Sequence, residues 1–434
     1  MSSHISKGNS PLIRVVCRSS KLSLLQVNEV FAQFPNINYT VNAQESFGDK
    51  NKNISLMSKE VTTDFFTREM DDEILCGNAD IAIHSAKDLP CPIPEGIEVI
   101  ALLDAFDKTD SLVSRSKLTL AQLPAGSRIG TSSATRKAEL LDLRPDVEVV
   151  SIRGTIDERI AQVESGYVDA LIVATCALKR LGLTDQISEV LGFRTHPLQG
   201  NIAITAAKGS PFRSLFEPKN AKRQHVLVTG TTCEEYKNLG VIIHQPLIKI
   251  SGVDNKKQIH EALDKLSGFQ WVIFTSRYGV RYFFKEFEEK QLPLSIFDNI
   301  KIASVGKTTS SELIARGLTP TVESPTESAE GLVDYFKNKS VSNKNILLPR
   351  SAIGLKYLTK ELAGLGNNIC DLAVYNNTAS TNTDKLDLSI FHKIVFASPS
   401  GVKAFKHVYG EIPDHIQIIT KGKTTEEYLK NNIK

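Results

Sequence analysis

In the stretch Ile83-His84-Ser85-Ala86-Lys87-Asp88-Leu89-Pro90 a cation and a carboxylate stand side by side where an apolar, β-branched run ends. Ligands of open α/β sheets bind beyond the ends of strands. An adjacent Lys87 and Asp88 therefore suit an acidic substrate whose reaction moves a proton or develops positive charge. A solvated turn stopped by proline is the alternative that these residues alone leave open. Three further stretches carry related chemistry. Gly130-Thr131-Ser132-Ser133, followed by Arg136, offers backbone N–H groups and hydroxyls to an anion at a helix start, or simply an N-cap. Ser151-Ile152-Arg153-Gly154-Thr155, with Arg159 beyond it, sets arginine against the helix dipole, an arrangement that an external carboxylate or phosphate would compensate. Leu178-Lys179-Arg180-Leu181-Gly182 places two cations after an apolar run, with a plain helix end as the alternative. Together with Arg14, Arg18 and Lys21 these residues describe a cleft for a ligand bearing many carboxylates.

Short β-branched runs must position these groups. Ile13–Cys17, Ala79–His84, Ser127–Gly130, Val147–Ile152 and Ala170–Ala174 alternate with amphipathic stretches, the βαβ rhythm of parallel α/β sheets. Gly, Pro, Ser and Lys cluster over 208–223, read as a linker between residues 1–207 and 224–434. The second half carries an internal repeat. Val272-Ile273-Phe274-Thr275-Ser276 through Gly279-Val280 to Phe283 returns as Ile394-Val395-Phe396-Ala397-Ser398 through Gly401-Val402 to Phe405. Gly306-Lys307-Thr308-Thr309 returns as Gly422-Lys423-Thr424-Thr425. A repeat this long implies two similar α/β lobes, hence a cleft for a small ligand.

The 434 residues imply about three or four compact units. A net charge of +3 does not call for nucleic acid, so anion binding must be local. No apolar run approaches the ~18 residues of a membrane span. The polar start, Met1 to Pro11, has no signal-peptide core. The six cysteines form no CxxC pair and no metal-ligand spacing, so a reducing cytoplasm and no metal are expected.

Residues ~12–207 resemble hydroxymethylbilane synthase (porphobilinogen deaminase), on RVVCRSSKLSLLQ, FTREMDDEILCGNADIAIHSAKDLP, LPAGSRIGTSSATRK, LRPDVEVVSIRGTIDERI and GYVDALIVATCALKRLGL. The resemblance implies head-to-tail linking of porphobilinogen with loss of ammonia. It implies that Asp88 is the catalytic carboxylate, and that Arg18, Lys59, Lys87, Arg136, Arg153, Arg159 and Arg180 bind carboxylates, with Ser20, Thr131 and Ser133 as hydroxyl partners. This chain departs from the family in three ways. The doubled arginine after GTSS is Thr135-Arg136, and the glycine-lysine-glycine loop before FTREM reads Val61-Thr62-Thr63-Asp64. On this resemblance the family's third domain, whose cysteine anchors a dipyrromethane primer, is expected to be missing; Cys233 is nearest in position but is not expected to serve. A separate protein supplying that domain is one partner left open.

Residues ~224–434 resemble uroporphyrinogen-III synthase, on HVLVTG, WVIFTSRYGVRYFF, KIASVGKTTSSELIARG, TESAEGLVDYF, NILLPRS, LAVYNNTAS, IVFASPSGVKAF and TKGKTTEEYL. The resemblance implies two lobes joined by two strands, with residues 252–371 in one lobe, and closure of hydroxymethylbilane with loss of water. It places the family's tyrosine at Tyr375 as proton donor, for which a strand-end tyrosine with a satisfied hydroxyl is the alternative. Thr275, Ser276, Gly306, Thr308, Ser398, Ser400 and Thr424 lie on loops expected to face the cleft, where helix capping is the plainer role. The fold expected is thus α/β with two bilobed halves, the first a cleft of the periplasmic-binding-protein type, the second two similar parallel-sheet lobes. The function expected is a bifunctional enzyme of haem biosynthesis, a transferase and a lyase. The competing readings are a synthase with a binding-only first half and a solute-binding protein.

Overall fold

In the computed structural model the described residues are 12–54, 61–216, 224–254, 256–354, 356–380 and 383–432. They fall into two compact units, one within Met1–Gln245 and Asn382–Lys434, the other within Pro246–Thr381.

The first unit contains three sheets. One has the order Asn38–Gln44, Leu12–Arg18, Ile81–Ser85, Ile202–Ala207, Ile97–Leu103. Its first three strands are parallel, and Ile202–Ala207 runs antiparallel to both neighbours. The second has the order Glu148–Val150, Arg128–Gly130, Ala170–Ala174, Asp110–Ser114, Glu189–Leu191. Its outer three strands on the Glu148 side are parallel, and Asp110–Ser114 is antiparallel to both neighbours. The chain passes between these sheets twice, from Leu103 to Asp110 and from Leu191 to Ile202. Gln199 ties the crossings together, its Nε2 donating to Lys108 O (3.0 Å), Thr109 O (3.1 Å) and Asp110 Oδ1 (2.8 Å). Two lobes joined by two crossings put the ends of Leu12–Arg18, Ile81–Ser85 and Arg128–Gly130 where a ligand can meet them.

The third sheet of this unit is parallel throughout, in the order Val241–His244, His225–Val228, Lys393–Phe396, Gln417–Thr420. It meets the preceding lobes through polar contacts: Ile93 N–H donates to Asp387 Oδ2 (2.7 Å) and Lys108 Nζ to Ile242 O (2.9 Å). The stretch expected to open a linker does not behave as one over Lys208–Phe216. Lys208 N–H donates to Gly96 O (2.8 Å), Arg213 pairs with Glu98 (2.7 Å), and Phe216 is 2% exposed with its ring edge-on to Phe31 and Phe34. Gly209, Ser210 and Pro211 make a turn, and two aromatic residues after it, Phe212 and Phe216, supply the burial. The rest of the expected linker, 217–223, lies outside the described residues.

The second unit is one sheet, ordered Ile248–Gly252, Asn368–Ala379, Asn345–Ser351, Trp271–Phe274, Lys301–Ser304, Val322–Glu323. It is parallel except where Ile248–Gly252 runs against Asn368–Ala379, with Gly252 opposite Tyr375. Phe274, Phe283, Phe284, Phe287 and Phe297 fill one face. Each such ring contributes about 1.5–3 kcal/mol on burial, enough to set the helix Arg277–Glu289 firmly on the sheet.

The sequence repeat is a structural one. Trp271–Phe274 leads into Arg277–Glu289, capped by Ser276 accepting from Gly279 N–H. Lys393–Phe396 leads into Pro399–Tyr409, capped by Ser398 accepting from Gly401 N–H. Lys301–Ser304 with Lys307–Ile314 matches Gln417–Thr420 with Lys423–Asn432.

Candidate functional site

Asp88 closes the 3-10 turn Ala86–Asp88 directly after the strand Ile81–Ser85. Its Oδ2 lies 3.6 Å from Arg18 Nη1, at the end of the neighbouring strand. Arg18 is held from behind by a two-pronged contact with Asp49 (Nε to Oδ2, 3.0 Å), and its guanidinium lies 4.6 Å from the Phe66 ring centre. Asp49 belongs to a capping box, accepting from Ser46 N–H (3.1 Å) and Ser46 Oγ–H (2.7 Å). Burial pushes the Asp49 carboxyl up, but its bonds to Arg18 and Ser46 outweigh that and hold it below the usual range. The buried His84, bonded to Thr205 Oγ1 (3.1 Å), is pushed down to about 4 by burial and by Arg18, so it stays neutral.

The expected basic residues divide into two groups. Arg18, Arg136 and Arg180 have carboxylate partners. Arg136, 9% exposed, donates from Nε and Nη2 to Asp110 (2.9 and 2.7 Å) and from Nη2 to Gln199 (3.3 Å), and Asp110 is fully buried. Arg180 donates from Nε and Nη2 to Glu29 (2.7 and 3.1 Å) and from Nη2 to Gly200 O (3.0 Å). The two therefore brace the protein internally, helix to strand and lobe to lobe. Lys87, Arg153 and Arg159 have no ion pair among the described residues. Arg153 donates from Nη2 to Gly48 O (2.8 Å) and keeps a buried Nε with no partner, its guanidinium 5.6 Å from the ring centres of both Phe65 and Phe66. Among the described residues Arg159 donates to Gly154 O (2.8 Å). Burial, then Arg136, Arg153 and Arg18, push it down to about 10. Burial and the Arg136 charge push Lys87 down as well. Positive charge gathered in this way favours an anion nearby. Arg153 also lines a cavity of about 650 Å³, together with Lys52, Asn53, Ser151, Gln162 and Tyr167.

The small hydroxyl residues have local roles. Ser20 caps Lys21–Gln33, accepting from Ser23 N–H (3.2 Å). Ser133 caps Ala134–Leu143, accepting from Arg136 N–H (3.4 Å), while Thr131 Oγ1 accepts from Ser133 N–H (3.3 Å). Lys59 lies outside the described residues.

In the second unit Tyr375 projects from Asn368–Ala379, 7% exposed, with its Oη 3.0 Å from Ser276 Oγ. Tyr278 and Tyr282 flank it, ring centres 6.0 Å away. Ser351 completes the group, standing opposite Tyr375 across a register shift in the ladder. Thr275 follows the strand end beside Ser276, and Gly306 caps Lys307–Ile314. Thr308, Ser400 and Thr424, expected on loops, sit instead in the first turns of helices, because the chain turns helical at once after each cap. In the first unit Ser398 Oγ lies 3.0 Å from Ser400 Oγ, and Thr229 Oγ1 donates to Val395 O (3.0 Å).

Sequence reasoning missed Ser351 and the counter-ions Asp49, Asp110 and Glu29. Ser351 had one signal: it ends an apolar strand, as Ser276 follows one. Among the described residues no group of three or more His, Cys, Asp or Glu could hold a metal ion, and no helix is long and apolar enough to cross a membrane.

Comparison with known proteins matches two stretches of the chain. Residues 13–212 match the family model described as "Porphobilinogen deaminase, dipyromethane cofactor binding domain", and residues 232–434 the one described as "Uroporphyrinogen-III synthase HemD". A porphobilinogen deaminase of Geotalea uraniireducens is 37% identical over 183 residues, 41% of this chain and 57% of that protein. The chain thus spans little more than half the length of the curated relatives it matches. A mutant uroporphyrinogen III synthase of the extremely thermophilic bacterium Thermus thermophilus is similar at 15% identity and a TM-score of 0.37, covering 49% of this chain and 90% of that one. The Helicobacter pylori synthase is similar at 20% identity and a TM-score of 0.34, covering 48% and 88%. The chain thus joins a porphobilinogen deaminase domain, residues 13–212, to a uroporphyrinogen-III synthase domain, residues 232–434.

Proposed function

We propose that the first domain links porphobilinogen units into hydroxymethylbilane, releasing ammonia at each addition, and that the second closes hydroxymethylbilane to uroporphyrinogen III with loss of water. One observation carries the reading of the first domain: Asp88 stands at a strand end, 3.6 Å from Arg18, with Lys87, Arg153 and Arg159 left without ion pairs among the described residues. A chain of pyrroles, each bearing carboxylates, supplies the anions those cations call for. The Asp88 carboxylate is set to hold the proton passed to the departing amine and to face the positive charge that the departure leaves. Arg18, fixed by Asp49, keeps that carboxylate oriented.

The donor set fits dipyrromethane, because the buried, unpartnered Arg153 Nε and the mutually repelling Arg159 cluster suit a bound polycarboxylate. Lys87, Arg153 and Arg159 would hold its carboxylates, with Ser133 and Thr131 beside them. Bound there, dipyrromethane would supply the pyrrole position to which the first unit adds. In the second domain Tyr375 is the proton donor to the leaving hydroxyl of the substrate, and the Ser and Thr side chains at the helix starts bind its carboxylates. We place the functional division at residues 1–207 and 224–434, with 252–371 as one lobe of the synthase. All six cysteines are free, which supports a cytoplasmic setting.

Asp88→Ala tests the proposal. It lowers porphobilinogen consumption by about 100-fold or more and leaves cyclisation of supplied hydroxymethylbilane intact; unchanged consumption contradicts the role given to Asp88. A second reading, a synthase with a binding-only first domain, draws on Thr135 and on Val61-Thr62-Thr63-Asp64, which depart from the family pattern.

A further inference from the structure

Ser276 and Ser351 stand beside Tyr375, and each already accepts a backbone N–H. Ser276 Oγ lies 3.0 Å from Tyr375 Oη and accepts from Gly279 N–H at 3.0 Å. Ser351 stands opposite Tyr375 in the strand ladder and accepts from Ile353 N–H at 3.4 Å. A hydroxyl has one hydrogen and two lone pairs. With a backbone N–H on a lone pair, each serine keeps its hydrogen free for the tyrosine. We propose that Ser276 and Ser351 are positioning residues that both donate to Tyr375 Oη, so that the phenol proton is turned toward the substrate and the phenolate left after transfer is cradled by two donors. The proposal rests on Tyr375 being the proton donor of the synthase reaction.

The surroundings favour that arrangement. Ser276 caps Arg277–Glu289, so its oxygen stands at the positive end of a thirteen-residue helix. The register shift between Arg350 and Ser351 brings Ser351 opposite Tyr375. From the same strand the Arg350 guanidinium, pinned to Asp371 and to Gly354 O (2.7 Å), adds fixed positive charge that favours the phenolate. On the helix side Tyr278 opposes it weakly, while Tyr282 turns its hydroxyl away to Ile250 O (3.3 Å). The antiparallel neighbour presents Gly252, without a side chain. Burial pushes the phenol up, and the two serines act against it. The proton balance closes within the reaction. The tyrosine proton leaves with the substrate hydroxyl as water, giving a phenolate and a cationic bilane. The pyrrole proton released on ring closure returns to the phenolate.

Steady-state formation of the III isomer from hydroxymethylbilane by the full chain tests this, with folding followed by far-ultraviolet circular dichroism. Tyr375→Phe lowers kcat about 100-fold. Ser351→Ala and Ser276→Ala each lower kcat about ten-fold with KM unchanged, as expected for a bond to a developing charge. Ser276→Thr, which keeps both hydroxyl and cap, recovers most of that loss. In the Tyr375→Phe background neither serine change lowers kcat further. A raised KM with unchanged kcat, or an equal loss with and without the Tyr375 hydroxyl, overturns the positioning role while leaving Tyr375 as donor. An unchanged kcat for Tyr375→Phe overturns the donor assignment and this proposal with it. Should Ser276→Ala unfold its helix, Ser351→Ala, which caps no helix, decides the matter.

Discussion

Arg136 is buried and Arg153 half-buried in the first domain, and they do different jobs. Arg136 is matched to a fully buried Asp110, so Arg136→Ala strands a carboxylate without its partner and costs about 3–5 kcal/mol of stability in urea unfolding. Arg153 makes no ion pair among the described residues and has an unsatisfied Nε. Arg153→Ala therefore leaves the unfolding midpoint nearly unchanged and weakens retention of a polycarboxylate ligand, which titration calorimetry would read. A third ionisable side chain makes a pH prediction. Burial, with help from Asp72 and Asp64, pushes the Asp71 carboxyl up to about 7. It is neutral in the fold at mildly acid pH but charged in the unfolded chain, so the stability it contributes is present below the ordinary aspartate value and lost as pH rises through 7. Asp71→Asn accordingly matches the parent protein near pH 3.5 and exceeds it by about 3 kcal/mol at pH 8. An equal difference at both pH values would contradict the assignment.

Strand ends and helix starts, more than any single motif, build both sites. The sequence shows these junctions clearly: Ser133, Ser276 and Ser398 each stand between an apolar run and an amphipathic one, and each caps a helix in the structure. The repeat in the second half is equally visible because each copy has to rebuild the same strand, cap and helix. What local sequence does not show is pairing over distance. Glu29 and Arg180 are 151 residues apart, and nothing around either announces the other. The antiparallel strands Ile202–Ala207 and Asp110–Ser114 are also unannounced, since alternation reports burial and not direction. The same holds for Ser351, which reaches Tyr375 only through a register shift. Lys208–Phe216 shows the opposite failure, where Gly, Ser and Pro suggested a linker and two phenylalanines overruled them. Gly200 is an element-scale test. Its φ is +87°, and a Cβ there would lie 2.3 Å from Asp107 O at the crossing between lobes. Gly200→Ala displaces that crossing and costs about 2 kcal/mol or more; an unfolding midpoint unchanged from the parent would refute this.

At the scale of the whole chain, the proposed activities give a reason to join the two domains on one polypeptide: the product of the first would be the substrate of the second. Tethering raises the concentration of the second site around each released molecule without any new contact. The structure adds that the His225–Val228 sheet shares a compact unit with the deaminase domain, joined through Ile93 to Asp387 and Lys108 to Ile242. The most direct test of the bifunctional reading is to give the purified chain porphobilinogen alone, oxidise the products and separate the uroporphyrin isomers. Both domains working in sequence predicts uroporphyrin III. No porphyrin from porphobilinogen, with formation restored only by added hydroxymethylbilane, would contradict it and leave the protein a synthase.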